Sequence, residues 1–293
     1  MDKFVYKLIV NQKELLERHL DKNPKEICRL KSFQWENNTK PNYNYYLHQL
    51  LYHLKYSYAY IYDYYLVYKF ILALLNYNER YYTLSIGCGA MIDKIGFKYA
   101  ACEIGSSSAM YIGADKASWN NEQISNFYKG IFIKSDIGNV KRNRFLSKIG
   151  IIFFPRSLSE VQYSSLTKFI NRLHADNFHD HICIASVPVS MEQDKFAKEE
   201  KKLLCFTKAV SKKFKFSFSA VPDNKIFTSK SPFYDQCYKN NFKYPTEIRN
   251  WILKMEHYCI ESCKNKEEKC KFIWKDPAHG LPSYNPMIYQ LKK

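Results

Sequence analysis

Acidic residues are what this sequence is short of. Its 28 Asp and Glu face 45 Lys and Arg, a formal net charge of +17 over 293 residues. That balance argues against an acidic, solvating chain and favours polyanionic partners, nucleic acid first and an anionic membrane surface second. Lys, Tyr, Asn, Ile and Phe are also the residues that AT-rich codons supply, which is the competing source of the charge. Glycine and proline are scarce, 9 and 10 in all, which excludes collagen-like and low-complexity classes. Each cluster of glycines is therefore informative. No apolar run reaches the ~20 uncharged residues of a membrane span. The richest stretch, 43–75, is broken by His48, His53, Lys55, Asp63 and Lys69. The opening MDKFVYKLIV holds no apolar segment of signal-peptide length. The cysteines are scattered without a tight, even framework, so a disulfide scaffold is not expected. The expectation is a cytoplasmic protein with reduced thiols. At 46% hydrophobic residues the chain can fill a sizeable core, which excludes wholesale disorder.

Residues 1–80 read as a helical N-terminal extension. Asn11–Leu20 places Leu15, Leu16 and Leu20 on one side and charges on the other. Ser32–Asn42 is polar, contains Pro41 and reads as a loop. Tyr43–Leu75 has no Gly or Pro, and Leu47, Leu50, Leu51, Leu54 and Tyr58 recur at helical spacing. It reads as one long helix or two joined ones. Its tyrosines invite a base-stacking role, but an aromatic stripe at this spacing more often packs a core. From Tyr81 strands and helices alternate. Expected strands are Tyr82–Ile86, Met110–Ala114, Gly130–Lys134, Ile149–Phe154, His181–Val187, Phe214–Ala220 and a last one in Pro286–Lys293. Expected helices are Asp93–Cys102, Asn120–Tyr128, Ser159–Ala175 and Gln193–Ser211. The succession predicts an α/β domain over 81–293 with a doubly wound, mainly parallel sheet. Residues 221–285 read as an irregular or helical insertion before the last strand, with Thr246–Cys263 as a possible helix.

The first strand runs into Gly87-Cys88-Gly89 and then a helix. Glycines there let the backbone approach a ligand, and the helix start offers free N–H groups. Asp115 ends the second strand, where a carboxylate can accept from both ribose hydroxyls of a nucleoside. Asp136 and Ile137 follow the third strand, where an acid can accept from an exocyclic amine and an apolar side chain can lie on a purine. Phe154-Pro155-Arg156-Ser157 ends the fourth. All four features fall at carboxyl ends of successive strands, where open sheets bind ligands. A dinucleotide fingerprint would need glycine where Ile92 stands.

On these residues the chain resembles the class I S-adenosylmethionine-dependent methyltransferases. LSIGCGAMID is similar to their first motif, YIGADKA to the second, FIKSDI to the third and IIFFPRSLSE to the fourth. The resemblance covers about Tyr43 to Val221 plus the last strand. It implies a seven-stranded sheet of methyltransferase type and S-adenosylmethionine as cofactor. Gly87 and Gly89 would line its methionine part, with Ser85 and Cys88 beside them. Asp115 would hold the ribose with Lys116 next to it, and Asp136, Ile137 and Phe154 would lie on the adenine side. The family usually carries an acid where Ser85 stands and a third glycine where Met91 stands. Asp93 is placed either to meet the cofactor's amino group or to cap the new helix.

Pro155, Arg156 and Ser157 are the acceptor-side candidates, with Arg156 suited to a phosphate or carboxylate. Ser159 and Glu160 read as a helix start. Cys88 reads as packing, since no His lies near it in sequence. Cys259, Cys263 and Cys270 are soft ligands without the paired CxxC spacing of structural zinc sites, so no metal site is assigned. Lys141, Arg142 and Arg144, with Lys212, Lys213 and Lys215, are the candidate phosphate-binding surface. Lys198–Lys202 is mixed in sign and reads as a solvated helix face. The function expected is methyl transfer to a nucleic acid, RNA more than DNA. The alternatives are a non-catalytic nucleic-acid-binding or assembly subunit that keeps the fold, and a small-molecule methyltransferase.

Overall fold

The computed structural model describes residues 3–32, 42–75, 80–106, 109–120, 124, 126–127, 130–140, 148–189, 192–221, 244–259 and 286–293. The chain forms two compact units. The first comprises Met1–Tyr60, Ser118–Asn120 and Asn240–Gly280, and the second Ile61–Ala117, Asn121–Lys239 and Leu281–Lys293. The division at Tyr60/Ile61 falls inside a helix.

In the first unit α1 (Lys3–Lys22) buries Val5, Leu8, Ile9, Leu16 and Leu20, the apolar stripe of an amphipathic helix. A 3-10 stretch, Pro24–Ser32, follows. The 43–75 stretch is helical from Tyr46 on. α2 (Tyr46–Tyr52) passes through a single π-helical segment, His53–Ser57, into α3 (Tyr58–Leu75). Trp119 stacks on Tyr43 with ring centroids 4.7 Å apart. Gln49 fixes that segment, donating to Ser118 O at 2.7 Å and accepting from Asn120 N–H at 2.9 Å. Tyr244 packs edge-on against Tyr58 and donates to Leu54 O at 2.7 Å. These tyrosines pack, as helical spacing suggested.

The second unit is a seven-stranded sheet in the order β3-β2-β1-β4-β5-β7-β6. The strands are β1 (Tyr81–Ile86), β2 (Ala109–Asp115), β3 (Gly130–Lys134), β4 (Ile149–Pro155), β5 (Phe178–Val187), β6 (Ser217–Ala220) and β7 (Met287–Lys292). β1 to β5 are parallel, and β7 runs antiparallel to both β5 and β6. The helices are α4 (Ile92–Ile104), α5 (Tyr163–Arg172) and α6 (Gln193–Phe214), and α7 (Thr246–Leu253) belongs to the first unit. Both faces of the sheet are covered, so β1 and β4 are buried along their whole length. Alternation splits them. Leu84, Ile86, Ile152 and Phe154 join Leu166 and Phe169 of α5 and Leu203 and Phe206 of α6. Phe153 points the other way, against Tyr64 and Tyr68 of α3. α3 and α4 touch backbone to backbone: a Cβ on Gly96 would lie 2.7 Å from Ile61 O and from Tyr65 N.

All seven expected strands form. Two starts move by three residues: β5 begins earlier, at Phe178, and β6 later, at Ser217, because α6 continues to Phe214. α5 begins at Tyr163 after Gln162, so Ser159 does not cap it; residues 157–160 make a turn closed by Glu160 N–H to Ser157 O. The 121–128 stretch expected as helix, and 33–41, lie almost wholly outside the described residues.

Candidate functional site

The turn after β1 is tied to the end of β2. Gly87 and Cys88 N–H both donate to Ala114 O, at 2.7 and 3.2 Å. Gly89 N–H donates to Asp115 Oδ2 at 2.8 Å, and Ala117 N–H to Asp115 Oδ1 at 2.7 Å. A carboxylate oxygen can accept more than one hydrogen bond, so both keep capacity for donors such as ribose hydroxyls. Burial pushes the Asp115 pKa up, against the Ala117 and Gly89 N–H groups. At the end of β3, Asp136 Oδ1 accepts from Gly138 N–H at 2.8 Å, and Ser135 N–H bonds Asp115 O at 2.8 Å. The acids of the second and third strands thus lie at the same edge as the glycine turn.

Gly87 is required twice over. Its φ is +67°, and a Cβ there would lie 2.5 Å from the Ser157 Cβ. Met91 stands where a third glycine is usual, yet it keeps the left-handed backbone, with φ +54°. Its side chain is buried, so packing holds it in a conformation that costs a non-glycine residue about 1–2 kcal/mol.

Asp93 is enclosed in the core. It is fully buried and accepts from Tyr111 OH at 2.7 Å and Tyr68 OH at 3.0 Å. Ser85 Oγ faces the same carboxylate without reaching good hydrogen-bond geometry. The acid missing from the strand is thus supplied beside Ser85 from the first turn of α4. Burial raises the Asp93 pKa to about 6, against the Ser85, Tyr111 and Tyr68 hydroxyls. A raised carboxyl pKa means the folded state takes up the proton first, so the penalty of the buried charge is present above pH 6 and is relieved as pH falls toward the unfolded value. Chemical unfolding should therefore show wild type gaining about 1 kcal/mol over a non-titrating Asp93→Asn variant between pH 7.5 and pH 5. A difference that stays constant over that range contradicts this.

The acceptor-side residues are engaged internally. Arg156, with φ +54°, donates to Asp63 Oδ2 at 2.5 Å and to Pro188 O at 3.0 Å. Its guanidinium is committed to a buried ion pair, which corrects the expectation of an anion clamp. Ser157 Oγ donates to Ile86 O at 2.5 Å, a strut between the ends of β1 and β4. Phe154 and Ile137 are core residues; the Phe154 ring meets Phe206 edge-on at 5.6 Å. Both side chains pack in the cluster on the α5–α6 side of the sheet. Ser85 is likewise buried, and Lys116 is exposed. Cys88 is buried, with its thiol pushed up by burial, Asp115 and Asp93, which fits packing.

Of the basic surface, Lys141, Arg142 and Arg144 lie outside the described residues, as do Cys263 and Cys270. Lys213 Nζ donates to the carbonyls of Ile170, Asn171 and Leu173, capping the end of α5. It is therefore engaged at a helix end, while Lys212 and Lys215 are exposed and without such contacts. Cys28, Cys88, Cys102, Cys183 and Cys205 carry free thiols. No helix among the described residues is long and apolar enough to cross a membrane.

Sequence reasoning missed Asp63, Tyr68 and Tyr111. Tyr111 was open to discovery, since it shares a face of β2 with Gly113 and Asp115. Asp63 and Tyr68 carry no local signal that pairs them with residues far along the chain.

The sheet order, with an antiparallel seventh strand between β5 and β6 and a glycine turn after β1, is the class I methyltransferase fold. No protein-family model matches the chain, and no curated protein matches it. Solved structures with similarity include the plantazolicin methyltransferase BpumL in complex with a triazolic desmethylPZN analog and SAH, at 12% identity, TM-score 0.40 and full coverage of both chains (100% and 100%). A coclaurine N-methyltransferase bound to N-methylheliamine and SAH shows 11% identity and TM-score 0.41, covering 99% of this chain and 87% of that one. A SAM-dependent methyltransferase from Aquifex aeolicus shows 13% identity and TM-score 0.36, covering 52% of this chain and 80% of that one. At such values these are similarities only, and the fold is assigned on strand order.

Proposed function

We propose that the chain binds S-adenosylmethionine and transfers its methyl group to an acceptor. The observation that carries this reading is Asp115: a carboxylate at the end of β2, joined at 2.8 Å to Gly89 N–H of the glycine turn. In this reading the turn takes the methionine part, Asp115 the ribose hydroxyls, and Asp136, through its second carboxylate oxygen, the adenine amine. The cofactor supplies an already activated methyl group on a sulfonium. The protein's own part is then positioning and exclusion of water. Cys88 is buried as a neutral thiol and takes no role as a nucleophile. The net charge of +17 supports a nucleic-acid acceptor, RNA more than DNA. The competing reading is a non-catalytic subunit that keeps the fold for assembly.

Asp115→Ala tests the reading. Calorimetric titration should show affinity for S-adenosylmethionine at least tenfold below wild type, because a hydrogen bond to a charged group is worth about 1.5–3 kcal/mol. Equal affinity in the two proteins would remove Asp115 from the ribose site.

A further inference from the structure

Helix α6 carries a line of cations with no internal use. Its apolar face, Leu203, Phe206, Val210 and Phe214, is buried in the core. On the outer face Lys198, Lys201, Lys208 and Lys212 recur at intervals of three, seven and four, and Lys215 follows at the C-cap. These offsets put them on one side of the helix. All five are exposed, and none makes an ion pair among the described residues. The other lysines of the helix are engaged. Lys195 pairs with Glu192 at 2.9 Å, Lys202 donates to Ser159 O and Val161 O, and Lys213 caps α5. Along the line Cys205 fills the missing position, and the exposed Asp194, one turn before Lys198, closes its N-terminal end. The adjoining α5 adds exposed Lys168 and Arg172.

Like charges one turn apart weaken a helix, so the pairs Lys198/Lys201, Lys208/Lys212 and Lys212/Lys215 are costly unless an anion lies along them. A turn advances ~5.4 Å, and the line from Lys198 to Lys215 spans roughly 25 Å. Its steps of about 5 Å, with one of about 10 Å across Cys205, are of the order of the spacing between phosphates along one nucleic-acid strand. A membrane-bound helix needs apolar residues flanking its cations. Here the large apolar residues of α6 face the core. No exposed Arg, Asn or aromatic residue on the line could read a base.

We propose that the outer face of α6 is a docking surface for a single nucleic-acid strand, engaged through its phosphate backbone without sequence preference. The surface does not depend on the methyl-transfer reading, and its test does not involve S-adenosylmethionine.

The test uses the full chain and a fluorescent 20-mer of oligouridylate, followed by anisotropy between 50 and 200 mM salt. Each phosphate neutralised contributes about −0.7 to the slope of log affinity against log salt. Five lysines give a slope near −3.5, about a 100-fold loss over that range. A variant with Lys198, Lys201, Lys208, Lys212 and Lys215 changed to Gln should bind at least tenfold more weakly at 50 mM salt, with a shallower slope. A control with Lys3, Lys7, Arg18, Lys22 and Lys25 changed to Gln removes the same charge from exposed positions of α1 and its surroundings, and should bind as wild type. Because every substituted side chain is exposed and the α6 variant loses like-charge repulsion, neither variant should melt below the wild type. Equal losses in the two variants would reduce the effect to net charge and overturn the proposal. So would a wild type that ignores the oligomer, or one that binds phosphatidylserine vesicles through these lysines instead.

Discussion

Asp63→Ala should destabilise the protein by about 3–5 kcal/mol, the usual cost of leaving one member of a buried ion pair alone. Asp63 and Arg156 are joined at 2.5 Å, with side chains 11% and 5% exposed. The expectation has a sharper form because the two partners are not equivalent. Burial raises the Asp63 pKa to about 6 in spite of the Arg156 charge. With Arg156 replaced by Met, Asp63 can escape its penalty by taking up a proton. With Asp63 replaced by Ala, Arg156 has no such route, since a guanidinium does not deprotonate in this range. Equilibrium unfolding at pH 6 should therefore rank Asp63→Ala as clearly worse than Arg156→Met. The gap should narrow at pH 8, where neutralising Asp63 becomes more expensive. Equal costs at both pH values would mean that the pair does not bear the charge described.

Gly87→Ala should cost about 3 kcal/mol. The left-handed φ of +67° is unfavourable for alanine by about 1–2 kcal/mol. The new Cβ would also lie 2.5 Å from the Ser157 Cβ, and overpacking of this kind costs about 1–3 kcal/mol. The two contributions separate experimentally. Removing the Ser157 side chain in Gly87→Ala/Ser157→Gly should relieve the clash but not the backbone strain, so the double variant should recover part of the stability and not all of it. A Gly87→Ala protein with wild-type stability would show that the turn can relax, and that close approach at the end of β1 is not enforced.

The parts of the site legible in the sequence are those made by single strand ends. Gly87, Gly89, Asp115 and Asp136 each terminate a strand whose apolar run announces it, and a parallel sheet brings such ends to one edge. What was not legible was set by partners far along the chain. Arg156 looks like a free cation until Asp63, 93 residues earlier, is found against it. Ser157 bonds Ile86, 71 residues away. Asp93 carries two opposed readings in sequence, and neither includes Tyr68 and Tyr111, which hold it inside the core. That Phe154 and Ile137 pack with α5 and α6 was not legible either: Phe154 takes its face from the register of β4, and Ile137 from the short 3-10 turn after β3. In α6, Lys198–Lys202, read as a solvated face, and Lys212 and Lys213, read as phosphate-binding, divide into buried, capping and unengaged side chains only once the sheet and α5 are in place.

The central claim is that the glycine turn and the acids of β2 and β3 form a site for S-adenosylmethionine. Isothermal titration of the wild-type chain with S-adenosylmethionine tests it most directly. One molecule should bind per chain with a dissociation constant well below millimolar. Absence of binding at millimolar cofactor would contradict the claim and leave the fold as a scaffold for another purpose.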